Sequence, residues 1–387
     1  MRRRGFAAVS LLCALSLAAS GCAAEEKTTA AGTIRIGVNI ELSGPGSALG
    51  ESYKNGLEAI IGDINKKGVL GSQKIKLIYR DNKSDPTQAI RVAKTLWDNE
   101  KVVAMIGPGV SPTGVPVSVA ANERKIPMIA MASSTAITQP AKDRPYTYKT
   151  SPNNDDMATL QVQALQDRKI TKVAYIAANN AYGQVSQKAF EKAAKEAELE
   201  VVASELYSDT DKDYTSHVTK MISQQPEAIA AASINPQSTI LAKNIKAAKF
   251  KGPVIYEAGA GAELFLKGAG TASEGMYMVN MSIMAANHIQ ATTPAALAQK
   301  EFFEKYTSKF GQYSSFATHS ADALNLYVLA IEKAGSTDPE KINKALETIE
   351  HDGLGGKFSL GPDNHGGFDK ESMILLVARG GTWVPAE

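Results

Sequence analysis

Cysteine is nearly missing from this chain. The only two of its 387 residues are Cys13 and Cys22, so beyond residue 22 no disulfide can form, and the body must rest on its own core. A body of about 355 residues can do so, because chains of that size bury roughly 75% of their unfolded surface and tend to split into two lobes. After the first 20 residues no apolar run approaches the roughly 20 residues of a membrane-spanning helix. No run of five or more Lys or Arg occurs, which leaves nucleic acid no electrostatic footprint. Enzyme signatures are also wanting. No G-x-S-x-G elbow is present, and the five histidines (217, 288, 319, 351 and 365) lack metal-ligand spacing. Gly44-Pro45-Gly46-Ser47-Ala48-Leu49-Gly50 has three residues between its last glycines, a proline without an N–H, and no acid about 20 residues on; Asp81 stands 37 after Gly44. A dinucleotide loop needs all three features otherwise. In Gly353-Leu354-Gly355-Gly356-Lys357-Phe358 a phenylalanine stands where a phosphate loop needs Ser or Thr. No cofactor and no metal are expected.

What is present begins with a targeting segment. Arg2, Arg3 and Arg4 precede an uncharged apolar stretch, Phe6 to Ala19, with the length and flanks of a secretory signal. The junction Ala19-Ser20-Gly21-Cys22 resembles a bacterial lipobox, with Ala19 where Leu is preferred, and predicts lipidation of Cys22. Residues 1–21 are then the signal peptide. Residues 22–32, small and polar, are a tether. The formal net charge of +2 includes three arginines and no acid in the first 21 residues, so the remainder carries −1.

From residue 33 short apolar runs alternate with amphipathic ones. Strands are predicted at 33–42, 74–82, 102–107 and 126–132, with helices at 50–68 and 85–101. The pattern then repeats: strands at 172–179, 200–207, 228–233 and 253–258, with helices at 183–198, 213–225 and 238–250. Two similar α/β lobes follow, each a parallel sheet covered by helices. Helices at 293–311, 317–335 and 338–349 and a strand at 373–381 complete the chain. Ligands of such sheets bind beyond the carboxyl ends of the strands. That points to Ser43–Pro45, Gly107–Pro112, Ala132–Thr135, Asn179–Gly183, Ser233–Ser238 and Tyr256–Gly261.

These segments carry a resemblance. Leu42-Ser43-Gly44-Pro45, the helix ending Asp63-Ile64-Asn65-Lys66-Lys67-Gly68, Asp85-Pro86, Ile106-Gly107, Ile126-Pro127, Ala132, Tyr182-Gly183 and Ser320-Ala321-Asp322-Ala323 occur in order over some 300 residues. The chain resembles the branched-chain amino-acid-binding proteins, type I periplasmic binding proteins typified by the Leu/Ile/Val-binding protein. The resemblance implies a non-enzymatic, monomeric substrate-binding lipoprotein of an ABC importer. Its partners are permease subunits, the membrane through its lipid, and a small ligand, foremost a hydrophobic amino acid. It implies lobe one at 33–152 plus 282–354 and lobe two at 153–281 plus 355–387, joined by a three-crossing hinge.

For the site, the resemblance implies that Ser111 and Ser134 hold the ligand carboxylate and the Ala132 carbonyl receives its ammonium. Ser133 and Thr135 are neighbours in the same loop. Tyr182 packs on the ligand from lobe two, and Leu49 stands at a wall position. Ser111, followed by Pro112, also reads independently as a helix N-cap. An ammonium needs a carboxylate partner. Glu257 is the first candidate, although Ala258 aligns with the family's position, and Glu41 and Asp322 are reserves, Asp322 doubling as a helix-start residue. Without such a partner the ligand becomes an amide, urea or an aromatic acid. A ligand-sensing ectodomain is the rival from another class; it would add a membrane span and a signalling domain.

Overall fold

The computed structural model describes residues 32–288 and 290–386. The expected signal peptide, Cys22 and all of the tether except Gly32 lie outside the described residues. Sheet one is wholly parallel, in the order β2-β1-β3-β4-β5. Its strands are β1 (Thr33–Ile40), β2 (Lys74–Asp81), β3 (Ala104–Ile106), β4 (Met128–Ala130) and β5 (Thr147–Lys149). Sheet two has seven strands, ordered β14-β13-β10-β9-β8-β6-β7. Its parallel part is β6 (Lys172–Ala178), β7 (Glu200–Tyr207), β8 (Ala228–Ala232), β9 (Val254–Tyr256) and β10 (Tyr277–Met281). A small ribbon of β11 (Glu350–Asp352) and β12 (Lys357–Ser359) precedes the closing hairpin, β13 (Met373–Arg379) and β14 (Thr382–Pro385). That hairpin runs antiparallel on the edge of sheet two.

Helices cover both sheets. They are α1 (Ser47–Lys67), α2 (Pro86–Asp98), α3 (Ser111–Arg124), α4 (Asn154–Asp167), α5 (Ala181–Glu196), α6 (Thr215–Ser223), α7 (Gln237–Ala247), α8 (Glu263–Ala269), α9 (Pro294–Phe310), α10 (Ser315–Ala334) and α11 (Pro339–Leu346). Starts follow local chemistry. Asp85 accepts from the Gln88 N–H with Pro86 at the first turn of α2, and Asn180 accepts from the Tyr182 and Gly183 N–H groups at α5. Residue 183 must be glycine for another reason: a Cβ there would stand 2.0 Å from the Ala178 carbonyl oxygen. Helix α5 therefore closes directly onto the end of β6, which fixes Tyr182 at the sheet's carboxyl edge.

The chain passes between the sheets three times. After β5 it enters α4, whose Gln161 donates to the Ile255 carbonyl of sheet two at 2.9 Å. After β10 it returns to sheet one. There Ser320 on α10 donates to the Tyr53 carbonyl of α1 at 2.7 Å, and Tyr327 donates to the Met105 and Pro127 carbonyls. After α11 it crosses back to β13. Among the described residues no helix is long and apolar enough to cross a membrane.

Candidate functional site

The carboxyl ends of the two sheets face each other, with α3 of one lobe meeting α5 of the other. Between them lies a cavity of about 20 Å³, room for about one water. A vestibule of about 260 Å³ continues outward, sharing Leu49, Val110, Ser111, Tyr182 and Ile234 with the cavity. A larger hollow of about 720 Å³ lies elsewhere, at the amino ends of β9 and β10, with Arg168, Lys246, Lys249 and Lys251 in its wall. Position relative to the strands, not volume, selects the inter-lobe cavity.

Lobe one supplies most of the wall. Leu49 and Tyr53 lie one turn apart on α1, and both face inward. The Tyr53 hydroxyl donates to the Gly109 carbonyl at 2.9 Å, and its ring meets Phe316 edge-on at 5.9 Å. Gly109 permits this: a Cβ there would stand 2.1 Å from the Tyr53 ring and 2.7 Å from a Glu41 carboxylate oxygen. His319 follows Phe316 by three residues on α10. It is 3% exposed, and its Nδ1 has no partner. Burial and the nearby Lys149 ammonium push the imidazole down to about 3, so the ring is neutral.

The expected serine position needs a correction. Ser111 is the first residue of α3, not its cap; Val110 takes the capping conformation, and no side chain caps the helix. The hydroxyl oxygen of Ser111 instead accepts from the Ser134 N–H at 3.2 Å. That leaves the Ser111 O–H proton free for a ligand. Ser134 is fully buried with an unpartnered Oγ, but it does not line the cavity, and neither does Thr135. Ala132 and Ser133 do, though their carbonyls are engaged. The Ser151 hydroxyl donates to Ala132 O at 2.7 Å, and Lys149 Nζ donates to Ser133 O at 2.9 Å.

Lobe two contributes Tyr182, Ile234, Ala258 and Gly259. Glu257 is fully buried behind Tyr182, outside the lining. Its Oε2 accepts from the Tyr182 and Ser186 hydroxyls at 2.9 Å each, and its Oε1 has no partner. Burial pushes this carboxyl up to about 7, against the pull of the two hydroxyl donors. The reserve acids stand apart as well. Glu41 is buried beneath the Gly109 loop, accepting from Asn82, the Gly109 N–H and Thr113. Asp322 lies inside α10, not at a helix start. Both of its oxygens are taken at 2.7 Å by the N–H groups of Leu354 and Gly355 on the third crossing. Among the described residues no cluster of three or more His, Cys, Asp or Glu could hold a metal.

The buried Glu257 gives a pH signature. Its folded pKa of about 7 lies above the ordinary 4.5, so its stabilising effect is full below pH 4.5 and is lost as pH rises to about 7. Glu257→Gln cannot titrate. Urea unfolding of both proteins should show the variant gaining on wild type between pH 4.5 and 7, with a constant difference above. A pH-independent difference would mean that the carboxyl is not held in this buried setting.

Two facing α/β lobes with a closed, chiefly apolar cavity at their strand ends define a ligand-enclosing receptor. The family model described as periplasmic binding protein matches residues 33–381, and the chain belongs to that family. It is 27% identical over 324 residues to "Leu/Ile/Val-binding protein homolog 3" of Brucella melitensis, covering 83% of each chain. It is 25% identical over 323 residues to the "Leucine-, isoleucine-, valine-, threonine-, and alanine-binding protein" of Pseudomonas aeruginosa, covering 82% of this chain and 83% of that one. The crystal structure of an extracellular ligand-binding receptor from Rhodopseudomonas palustris HaA2 superposes with a TM-score of 0.84 at 29% identity, covering 91% of this chain and 99% of that one.

Sequence alone does not point to Tyr53, Met131, Pro152, Phe316 and His319 in this wall, nor to Lys149 behind it. Tyr53 had a signal, since it stands one helical turn after Leu49. Phe316 and His319 share a spacing of three with each other, but nothing local ties α10 to the strand ends of sheet one. Lys149 had no signal, because a lysine in a polar stretch reads as solvated.

Proposed function

We propose that the chain is an exported, lipid-anchored solute receptor of an ABC importer, without catalytic activity, that closes its lobes on a small hydrophobic carboxylate. The observation that carries this reading is the inter-lobe cavity, where the free O–H of Ser111 and the neutral His319 are set in walls of Leu49, Tyr53, Phe316 and Ile234. One hydrogen-bonding end in an otherwise apolar enclosure suits a small organic acid. The lining holds no Arg or Lys for a phosphate. The branched-chain amino acids for which its relatives are named belong to that size class. The changes of sheet after β5, β10 and α11 support lobe boundaries at 152/153, 281/282 and 354/355. The body works as a monomer and docks on permease subunits.

Two measurements test this. Wild-type protein should fractionate with membranes and Cys22→Ala with the soluble fraction; a Cys22→Ala form that still sediments would remove the anchor. In a thermal-shift screen of the mature body, one or more small hydrophobic carboxylates should raise the melting temperature. A ligand bound only by the native state adds about 2.7 kcal/mol at a hundredfold excess over Kd. A screen in which only amides or urea shift the melt would overturn the carboxylate reading.

A further inference from the structure

We propose that the cavity selects a carboxylate lacking an α-ammonium group, an aryl or branched alkyl carboxylic acid, with the buried Lys149 ammonium as its counter-charge. This rests on the carboxylate reading above and narrows it.

The first observation concerns acids. An α-ammonium buried between closed lobes brings three N–H donors and a full charge, and a buried charge without a partner is costly. No carboxylate lines the cavity. The acids around it are screened or committed. Glu41 lies beneath Gly109 with three donors on it, and Glu257 is screened behind Tyr182, with two donors on Oε2 and none on Oε1. Asp322 spends both oxygens on the third crossing. Asp209, in the outer vestibule, is exposed and accepts from Asn180 at 2.6 Å. The carbonyls of the lobe-one loop each already accept one bond, Ala132 from Ser151 and Ser133 from Lys149.

The second observation is the sign of the charge behind the wall. Lys149 is fully buried, and its ammonium is held by neutral carbonyls alone: Ser133 at 2.9 Å, Pro152 at 3.1 Å and Ser151 at 3.3 Å. It forms no ion pair among the described residues. Ser133 and Pro152 line the cavity, so two of the carbonyls that hold the ammonium belong to residues of its wall. The groups around it leave it uncompensated at close range: His319 is neutral, and Asp155 and Asp156 act only through space from the first turn of α4. Burial pulls the ammonium down to about 7, and an anion in the cavity opposes that pull. A zwitterion brings an ammonium toward this charge without a partner; a simple carboxylate brings only the complementary sign.

The body of such an acid meets the edge-on pair of Tyr53 and Phe316 and, from lobe two, Tyr182. His319, whose Nδ1 has no partner, lines the same wall.

Matched pairs differing only in the amine decide the matter. Titration calorimetry on the mature protein at pH 6.5 would compare phenylalanine with 3-phenylpropionate, and leucine with 4-methylpentanoate. The amine-free member of whichever pair binds should bind at least tenfold tighter. Lys149→Met, if folded by circular dichroism, should lose at least tenfold for that acid and leave the affinity for its neutral primary amide unchanged. If the variant does not fold, the wild-type pairs still decide. An amino acid binding as tightly as its amine-free partner, a preference for it that Asp209→Asn removes, or a folded Lys149→Met with full acid affinity would overturn the proposal. Those outcomes leave the carboxylate reading standing. If no member of either pair binds but a neutral amide does, both readings fail.

Discussion

Ser111→Ala is expected to weaken binding of the preferred acid ten- to hundredfold. A hydroxyl donating to a carboxylate forms a charge-assisted bond, worth about 1.5–3 kcal/mol. The geometry sharpens the expectation, because Ser111 Oγ already accepts from the Ser134 N–H and so has its own proton directed elsewhere. Its removal also strands a buried N–H, a penalty of about 1–3 kcal/mol. The ligand-free variant should therefore melt below wild type, and not because a helix cap is lost. Calorimetry and thermal melts of the same preparations separate the two effects. Unchanged affinity would place the carboxylate away from α3.

Asp322→Ala is expected to be the most destabilising single change at the hinge, by at least about 1–3 kcal/mol, since it orphans the buried Gly355 N–H and the part-buried Leu354 N–H, the buried group alone costing about 1–3 kcal/mol. Both belong to the third crossing, Leu354 and Gly355, and Gly353 packs so closely that a Cβ there would stand 2.9 Å from an Asp322 oxygen. Urea unfolding should show the loss, while the matched-pair preference should persist wherever the variant is folded. A variant as stable as wild type would mean that this carboxylate does not hold the crossing. A stable variant that had lost its ligand would return Asp322 to the binding wall.

Much of the fold was legible. The strand and helix alternation predicted from residue 33 to 258 recurs in β1–β4 and β6–β9, with ends trimmed by one to three residues in most strands. The omissions have physical causes. Helix α4 buries Gln161 and Asn154 beside Met157 and Leu165, so its apolar stripe is interrupted by polar residues that only tertiary hydrogen bonds satisfy. Strand β10 is five residues long with a buried asparagine at its centre-right position, Asn280. Strand β5 carries the buried Lys149. Ser111 before Pro112 reads as a cap, yet it lies one residue inside the helix, with Val110 in the extended capping conformation.

The site was legible in part. Leu49, Ser111, Ala132, Ser133 and Tyr182 line one cavity, as their places after the strands suggest. Glu257 and Ala258 are adjacent, and the chain turns between them. Glu257 goes into lobe two and Ala258 to the cavity, a choice no sequence periodicity encodes in a three-residue turn. The charges that govern the ligand lie behind the wall, and their effect depends on which carbonyls the fold brings to Lys149.

The most direct test is a crystal structure of the mature protein saturated with its tightest ligand. A carboxylate is expected within hydrogen-bonding distance of Ser111 Oγ, its body between Tyr53, Phe316 and Tyr182, and no acidic side chain within reach of it. A ligand seated instead in the basic hollow between Arg168, Lys246, Lys249 and Lys251, with the inter-lobe cavity left as it is, would contradict the account.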